Sequence, residues 1–211
     1  MVARVKICGL TRPEDVELAV KHGAGFLGFI VECPSKRRLS VSEAAAIALP
    51  AKDIVPRVAV TVNPSDDLID RIITKMQPDY IQLHGDETPA RAADIAKRIA
   101  IIKAVGIASD DDMKASETYA GIADFLLYDA KPPKGETVRG GHGVAIDWSI
   151  IKRAPTPKTF AVAGGLTPDN VAQAITATRA PIVDVSSGVE ASPGVKDPSK
   201  IIAFMDAVRN G

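Results

Sequence analysis

Aromatic residues are scarce in this chain, at 4% of 211 positions. A core built without them must come from Ile, Val, Leu and Ala, a composition that suits parallel strands buried on both faces. There are only two cysteines, Cys8 and Cys33, and they make neither a disulfide framework nor a C-x-x-C pair. Three scattered histidines, His22, His84 and His142, offer no zinc spacing. Charge of one sign is also missing. The formal net charge is +0 and the signs alternate along the chain, which argues against a nucleic-acid partner, since that needs a basic excess. No apolar run approaches a membrane span, and no charged-then-apolar signal segment stands at the amino end. The expected home is cytoplasmic and reducing, with no membrane partner.

What the chain does have is 46% hydrophobic content, ordinary for a full globular core. Apolar runs recur and predict strands near residues 3–8, 26–31, 54–62, 79–83, 100–105, 122–128, 159–163 and 181–185. Helical periodicity lies between them: Val16, Ala19 and Val20; Leu68, Ile69, Ile72, Ile73 and Met76; Ile201, Ile202, Met205 and Val208. Thr11 with Glu14 has capping-box spacing. Thr88-Pro89, Thr167-Pro168 and Asp197-Pro198 each place a capping oxygen before proline, which is tolerated at the first helical position. Strand then helix, about eight times over, predicts a parallel α/β fold. The expected architecture is a (β/α)₈ TIM barrel in a single domain, 1–211. The competing open, doubly wound sheet lacks its usual G-x-G-x-x-G after the first strand.

Candidate chemistry sits at predicted strand ends, the edge where barrels bind ligands. Cys8 ends the first strand; to act as a base its thiol must lose its proton, and a nearby lysine would help. Taken alone, a cysteine beside Ile and Val is most often a small buried hydrophobe, and only its place at a strand's carboxyl end favours chemistry. Asp129 ends the sixth strand and is either a loop residue bonded to its own backbone or an acid at the mouth. Residues 130–147 show no periodicity and are too long for an incidental loop. They carry Gly140, Gly141, His142 and Gly143. Gly164 and Gly165 follow the seventh strand; Ser186, Ser187 and Gly188 follow the eighth. Loops after strands seven and eight are the usual phosphate site of a barrel, where glycines let backbone N–H groups approach the anion. Arg37, between Lys36 and Arg38, belongs to a basic run that reads either as a solvated face or as a carboxylate or phosphate clamp, and an arginine fork suits a carboxylate. His84 and Asp184 end the fourth and eighth strands; each reads either as a satisfied polar group at the rim or as a side chain facing a bound ligand.

These pieces together resemble the phosphoribosylanthranilate isomerase family of tryptophan biosynthesis. The match is carried by Lys6-Ile7-Cys8-Gly9-Leu10, Gly28-Phe29-Ile30, Ser35-Lys36-Arg37, Gln82-Leu83-His84-Gly85, Tyr128-Asp129, Gly140-Gly141-His142-Gly143, Asp147-Trp148, Ala163-Gly164-Gly165-Leu166 with Asn170-Val171, and Asp184-Val185-Ser186-Ser187-Gly188-Val189-Glu190. The resemblance implies a barrel that isomerises N-(5-phosphoribosyl)anthranilate, a small phosphosugar, with Cys8 as general base and Asp129 as general acid. It implies that Arg37 holds the anthranilate carboxylate and that Asp184 contacts the amine side. No cofactor is implied, because the rearrangement is an internal redox exchange. The chain departs from the family pattern at Lys36, where proline is usual, and at His142, where threonine is usual. A monomer or a homodimer fits equally. Two other readings stay open: another phosphosugar isomerase on the same barrel, or a non-catalytic barrel that binds a phosphometabolite.

Overall fold

The computed structural model of the chain describes residues 2–131 and 147–211. Gly140, Gly141, His142 and Gly143 lie outside the described residues, as does most of the expected loop over 130–147. Eight parallel strands form the barrel: β1 Arg4–Ile7, β2 Phe26–Val31, β3 Arg57–Thr61, β4 Tyr80–Leu83, β5 Ile101–Ile107, β6 Phe125–Ala130, β7 Phe160–Val162 and β8 Ile182–Val185. β1 pairs with β2 through Lys6↔Phe26 and with β8 through Arg4↔Ile182 to Ile7↔Val185, which closes the ring. The helices are α1 Pro13–Lys21, α2 Val41–Ala48, α3 Asp66–Arg71, α4 Pro89–Ala96, α5 Asp110–Ser116, α6 Trp148–Arg153, α7 Val171–Thr178 and α8 Pro198–Asn210. A two-residue strand, Arg38–Leu39, pairs in parallel alongside the end of β2, and Glu190–Ser192 pairs antiparallel with Val195–Lys196 after β8. The sequence pattern predicts neither.

Strand alternation sorts the side chains. Val5 and Ile7 of β1 pack outward in the layer shared with the helices, while Cys8 joins the barrel interior with Val58, Ile102, Leu127 and Ala161. Lys6, between the two outward residues, is completely buried. Three aromatics share the amino end. Phe26, Tyr80 and Phe125 begin β2, β4 and β6, and their ring centroids lie 5.7–6.0 Å apart. They fill that end as a layer from alternate strands, as barrel interiors are filled. The Arg4 guanidinium covers Phe26 at 4.1 Å.

Two of the predicted caps hold. Thr88 accepts from the Arg91 N–H at 3.2 Å, and Asp197 from the Ser199 N–H at 2.9 Å. Two do not. α1 starts at Pro13 after Arg12, with no side-chain cap. The Thr11 hydroxyl instead donates to the Gly194 carbonyl, and Arg12 grips Asp15 with two hydrogen bonds. α7 starts at Val171, because Thr167–Asn170 forms a turn in which Asn170 Oδ1 accepts from the Thr167 N–H at 2.8 Å. In α8 the core stripe is Ile201, Phe204, Met205 and Val208, with Ile202 37% exposed. Position 202 lies one step round from 201, and Phe204 completes the three-four spacing. Ile54, expected at the start of the third strand, sits in the preceding turn and is exposed.

Candidate active site

The carboxyl end of β1 turns at Gly9, whose φ of +73° favours glycine. The Cys8 N–H donates to the Val185 carbonyl at 2.8 Å, which ties this turn to the end of β8. Barrel closure puts Lys6 opposite Asp184, and the Lys6 ammonium reaches Asp184 Oδ1 at 2.9 Å. The Cys8 thiol lies close enough for it and Lys6 to bias each other's ionisation. Gly28 on β2 makes room for both: a Cβ there would lie 2.8 Å from the sulfur and 3.1 Å from Lys6 Nζ. Burial disfavours the Lys6 ammonium, but Asp184 and Cys8 outweigh it and push its pKa up to about 12.

Cys8 is buried, with 7% of its surface exposed. Burial pushes its thiol above the ordinary value. Lys6 opposes this, Asp184 adds to it, and the more distant Lys196 also opposes it. The expected lysine is present, yet desolvation is the larger influence and the thiol stays above its ordinary value.

Asp129, near the end of β6, is 8% exposed. Its Oδ1 accepts from the Ala130 N–H at 2.8 Å, so the local backbone bond expected of a loop residue is made. Its Oδ2 faces His84 Nε2 at 3.3 Å. The Gln82 amide nitrogen lies 2.9 Å from His84 Nδ1; with that amide donating, the imidazole keeps its proton on Nε2, toward Asp129. The loop behind His84 is braced by a buried pair that sequence reasoning missed. Lys103 reaches Glu87 Oε2 at 2.8 Å and the Gly85 carbonyl at 2.8 Å, and Glu87 accepts from the Gly85 and Asn63 N–H groups.

Of the basic run after β2, Lys36 and Arg38 are exposed and Arg37 is drawn inward. Its Nε and Nη2 each lie 2.7 Å from a carboxylate oxygen of Glu190. Lys196, fully buried, reaches Glu190 Oε1 at 2.9 Å and the carbonyls of Cys8 and Ser186 at 2.7 and 3.0 Å. In the sequence Glu190 stands out only as the last residue of the segment 184–190, and nothing singles out Lys196. Both come from the unpredicted hairpin, and nothing in the periodicity marks them.

The loops after β7 and β8 meet. Gly164 and Gly165 both have positive φ, and a Cβ on Gly164 would lie 3.1 Å from Asp129 Oδ1. A Cβ on Gly188 would overlap the Leu166 carbonyl oxygen. The Ser186 Oγ is buried without a partner among the described residues, and Ser187–Val189 form a short 3₁₀ turn. Replacing Gly188 by alanine is expected to force these loops apart and destabilise the chain by about 1–3 kcal/mol, the usual cost of overpacking. Thermal unfolding measures it, and an unchanged melting temperature would contradict the close approach.

Cys8, Arg37, His84, Asp129, Gly164, Gly165, Asp184, Ser186, Ser187 and Gly188 thus all lie at or just beyond the carboxyl ends of their strands. Gly141, His142 and Gly143 lie outside the described residues. Among the described residues no group of three or more His, Cys, Asp or Glu could hold a metal ion. None of their helices is long and apolar enough to cross a membrane.

Fold and rim define a (β/α)₈ barrel whose carboxyl end gathers a thiol, two carboxylates, an imidazole and a guanidinium. Residues 5–207 match the family described as N-(5'phosphoribosyl)anthranilate (PRA) isomerase. The N-(5'-phosphoribosyl)anthranilate isomerase of Rhizobium rhizogenes is 45% identical over 97% of this chain and 93% of that protein. The crystal structure of phosphoribosyl anthranilate isomerase from Thermotoga maritima superposes with a TM-score of 0.90 at 38% identity, covering 99% of this chain and 100% of that one. A phosphoribosyl anthranilate isomerase in complex with reduced 1-(o-carboxyphenylamino)-1-deoxyribulose 5-phosphate matches with a TM-score of 0.84 at 35% identity, over 99% and 100%. The chain belongs to the N-(5'-phosphoribosyl)anthranilate isomerase family.

Proposed function

We propose that this chain, as one domain spanning 1–211, converts N-(5-phosphoribosyl)anthranilate to 1-(2-carboxyphenylamino)-1-deoxyribulose 5-phosphate in tryptophan biosynthesis. The observation that carries the reading is the pairing of Cys8, beside the Lys6 ammonium, with Asp129, beside His84, at the same end of a barrel of this family.

Asp129 gives a proton to the ribose ring oxygen as the C1–O bond breaks, and the aniline nitrogen lone pair forms the C=N bond of a Schiff base. Donation leaves a carboxylate that keeps the Ala130 N–H and faces His84. Cys8 thiolate then takes the proton from C2, and the electron pair moves toward nitrogen to give an enolamine. Tautomerisation moves a proton to C1 and leaves a ketone at C2. C1 is reduced and C2 oxidised, so the electrons balance within the sugar. A positioned acid or base contributes typically about 10²–10⁴-fold. The Lys6 charge favours the thiolate against burial. Asp184, held by Lys6, contacts the amine side, with His84 across the ligand.

Phosphate would be held by Gly164, Gly165, Ser186, Ser187 and Gly188, together with Gly141, His142 and Gly143. The unpartnered Ser186 hydroxyl and the two positive-φ glycines support this placement. Arg37 would take the anthranilate carboxylate. Gripping both ends of the substrate supplies the orientation term for the carbons between them. The direct test follows anthranilate fluorescence with freshly generated N-(5-phosphoribosyl)anthranilate. The expected result is a protein-dependent fluorescence change beyond spontaneous decay. Binding without turnover would overturn the proposal and favour a phosphometabolite-binding barrel.

A further inference from the structure

Arg37 already has a carboxylate partner inside the protein. Glu190 occupies the edge formed by Nε and Nη2, at 2.7 Å to each. A guanidinium offers five N–H donors in a planar fork. Glu190 therefore leaves uncommitted the end edge, made of Nη1 and the second proton of Nη2. Nη1 has no hydrogen-bond partner among the described residues.

Glu190 is itself held from behind. Its side chain is 5% exposed, and the Lys196 ammonium beside it is fully buried. That ammonium spends its three protons on Glu190 Oε1, the Cys8 carbonyl and the Ser186 carbonyl. Swinging Glu190 away would leave a buried ammonium short of its counter-charge, which is strongly unfavourable. Gly9 completes the fixture, since a Cβ there would lie 2.5 Å from Arg37 Cδ. Two cations against one anion keep the cluster net positive.

We propose that Glu190, anchored by Lys196, is the positioning residue that fixes Arg37 so that its Nη1–Nη2 edge receives the aromatic carboxylate of the substrate. Glu190 does not touch the substrate; it acts through Arg37. It is not displaced on binding, so Arg37 ends between two carboxylates, one on each edge. Because Lys196 also holds the Cys8 carbonyl, the clamp and the turn that carries the thiol share one anchor. The proposal rests on the carboxylate role given to Arg37 above.

The test compares two probes by titration calorimetry: reduced 1-(o-carboxyphenylamino)-1-deoxyribulose 5-phosphate and the same compound without the ring carboxylate. The ratio of their dissociation constants measures carboxylate discrimination. In the unaltered protein a charge-assisted pair of bonds is expected to make this ratio roughly 10–100. Arg37→Ala should bring it close to 1. Glu190→Gln should lower it at least fivefold while affinity for the probe lacking the carboxylate changes little, and in turnover KM should rise more than kcat falls. Glu190→Asp keeps the charge beside Lys196 but is one methylene short of spanning both Nε and Nη2. It should lose discrimination too, and it serves if Glu190→Gln fails to fold. An Arg37→Ala, Glu190→Gln double variant should lose no more discrimination than Arg37→Ala alone. Full discrimination in both folded Glu190 variants, with loss only in Arg37→Ala, would overturn the inference and leave the carboxylate reading standing. Discrimination that survives Arg37→Ala would overturn that reading itself.

Discussion

Cys8→Ala is expected to lower kcat by about 10²–10⁴-fold, the range of a positioned base, while phosphate-dependent binding stays nearly intact. The methyl group left behind fits a site that is already buried, and the backbone bond from residue 8 to the Val185 carbonyl is retained. Stability should therefore change much less than turnover. Wild-type-like kcat in this variant would remove Cys8 from the base role.

The pH profile adds an independent sign. A base works deprotonated, and burial raises this thiol. The ascending limb of kcat/KM, which reports the free enzyme, should therefore lie above about 8.5, the ordinary thiol value. Lys6 opposes the rise, so Lys6→Met should move the limb further to alkaline pH. A limb near neutrality that ignores Lys6→Met would contradict the assignment. Alkylation rates read the same titration, best in a Cys33→Ser background. Burial, foremost, pushes the Cys33 thiol up to about 11.

Asp129→Asn is expected to abolish turnover to a similar extent, about 10²–10⁴-fold. Asparagine keeps the shape, and its oxygen can still accept from the Ala130 N–H at the distance now spanned by Oδ1, 2.8 Å. What it lacks is a transferable proton for the ring oxygen. Binding of the reduced product analogue and the melting temperature should stay close to those of the parent chain, which separates lost chemistry from lost fold. A variant retaining a tenth or more of the parent kcat would exclude Asp129 as the proton donor. The two variants also separate steps: Asp129→Asn should block ring opening itself, whereas Cys8→Ala should still admit exchange between ring and Schiff base. Isotopic exchange at C2 should stop in both.

The barrel could be read from the chain because its signals are local. A short apolar run rich in Ile and Val marks a strand, as at Ile101–Ile107, and Thr88 caps a helix through an atom three residues away. The same locality placed Cys8, Asp129, His84 and Asp184 at strand ends. It failed where a distant partner was available: the Thr11 hydroxyl, spaced for a capping box, bonds instead to the Gly194 carbonyl, 183 residues on.

The number and placement of strands and the position of each candidate group at its strand's end were thus legible in the sequence alone, through apolar runs and capping chemistry. The charges around those groups were decided by tertiary structure. Lys6 meets Asp184 across 178 residues and Arg37 meets Glu190 across 153, because closing β8 onto β1 brings both ends of the chain to one rim. Whether Cys8 is a thiol or a thiolate depends on the balance of burial against Lys6, and burial does not exist until the ring is closed.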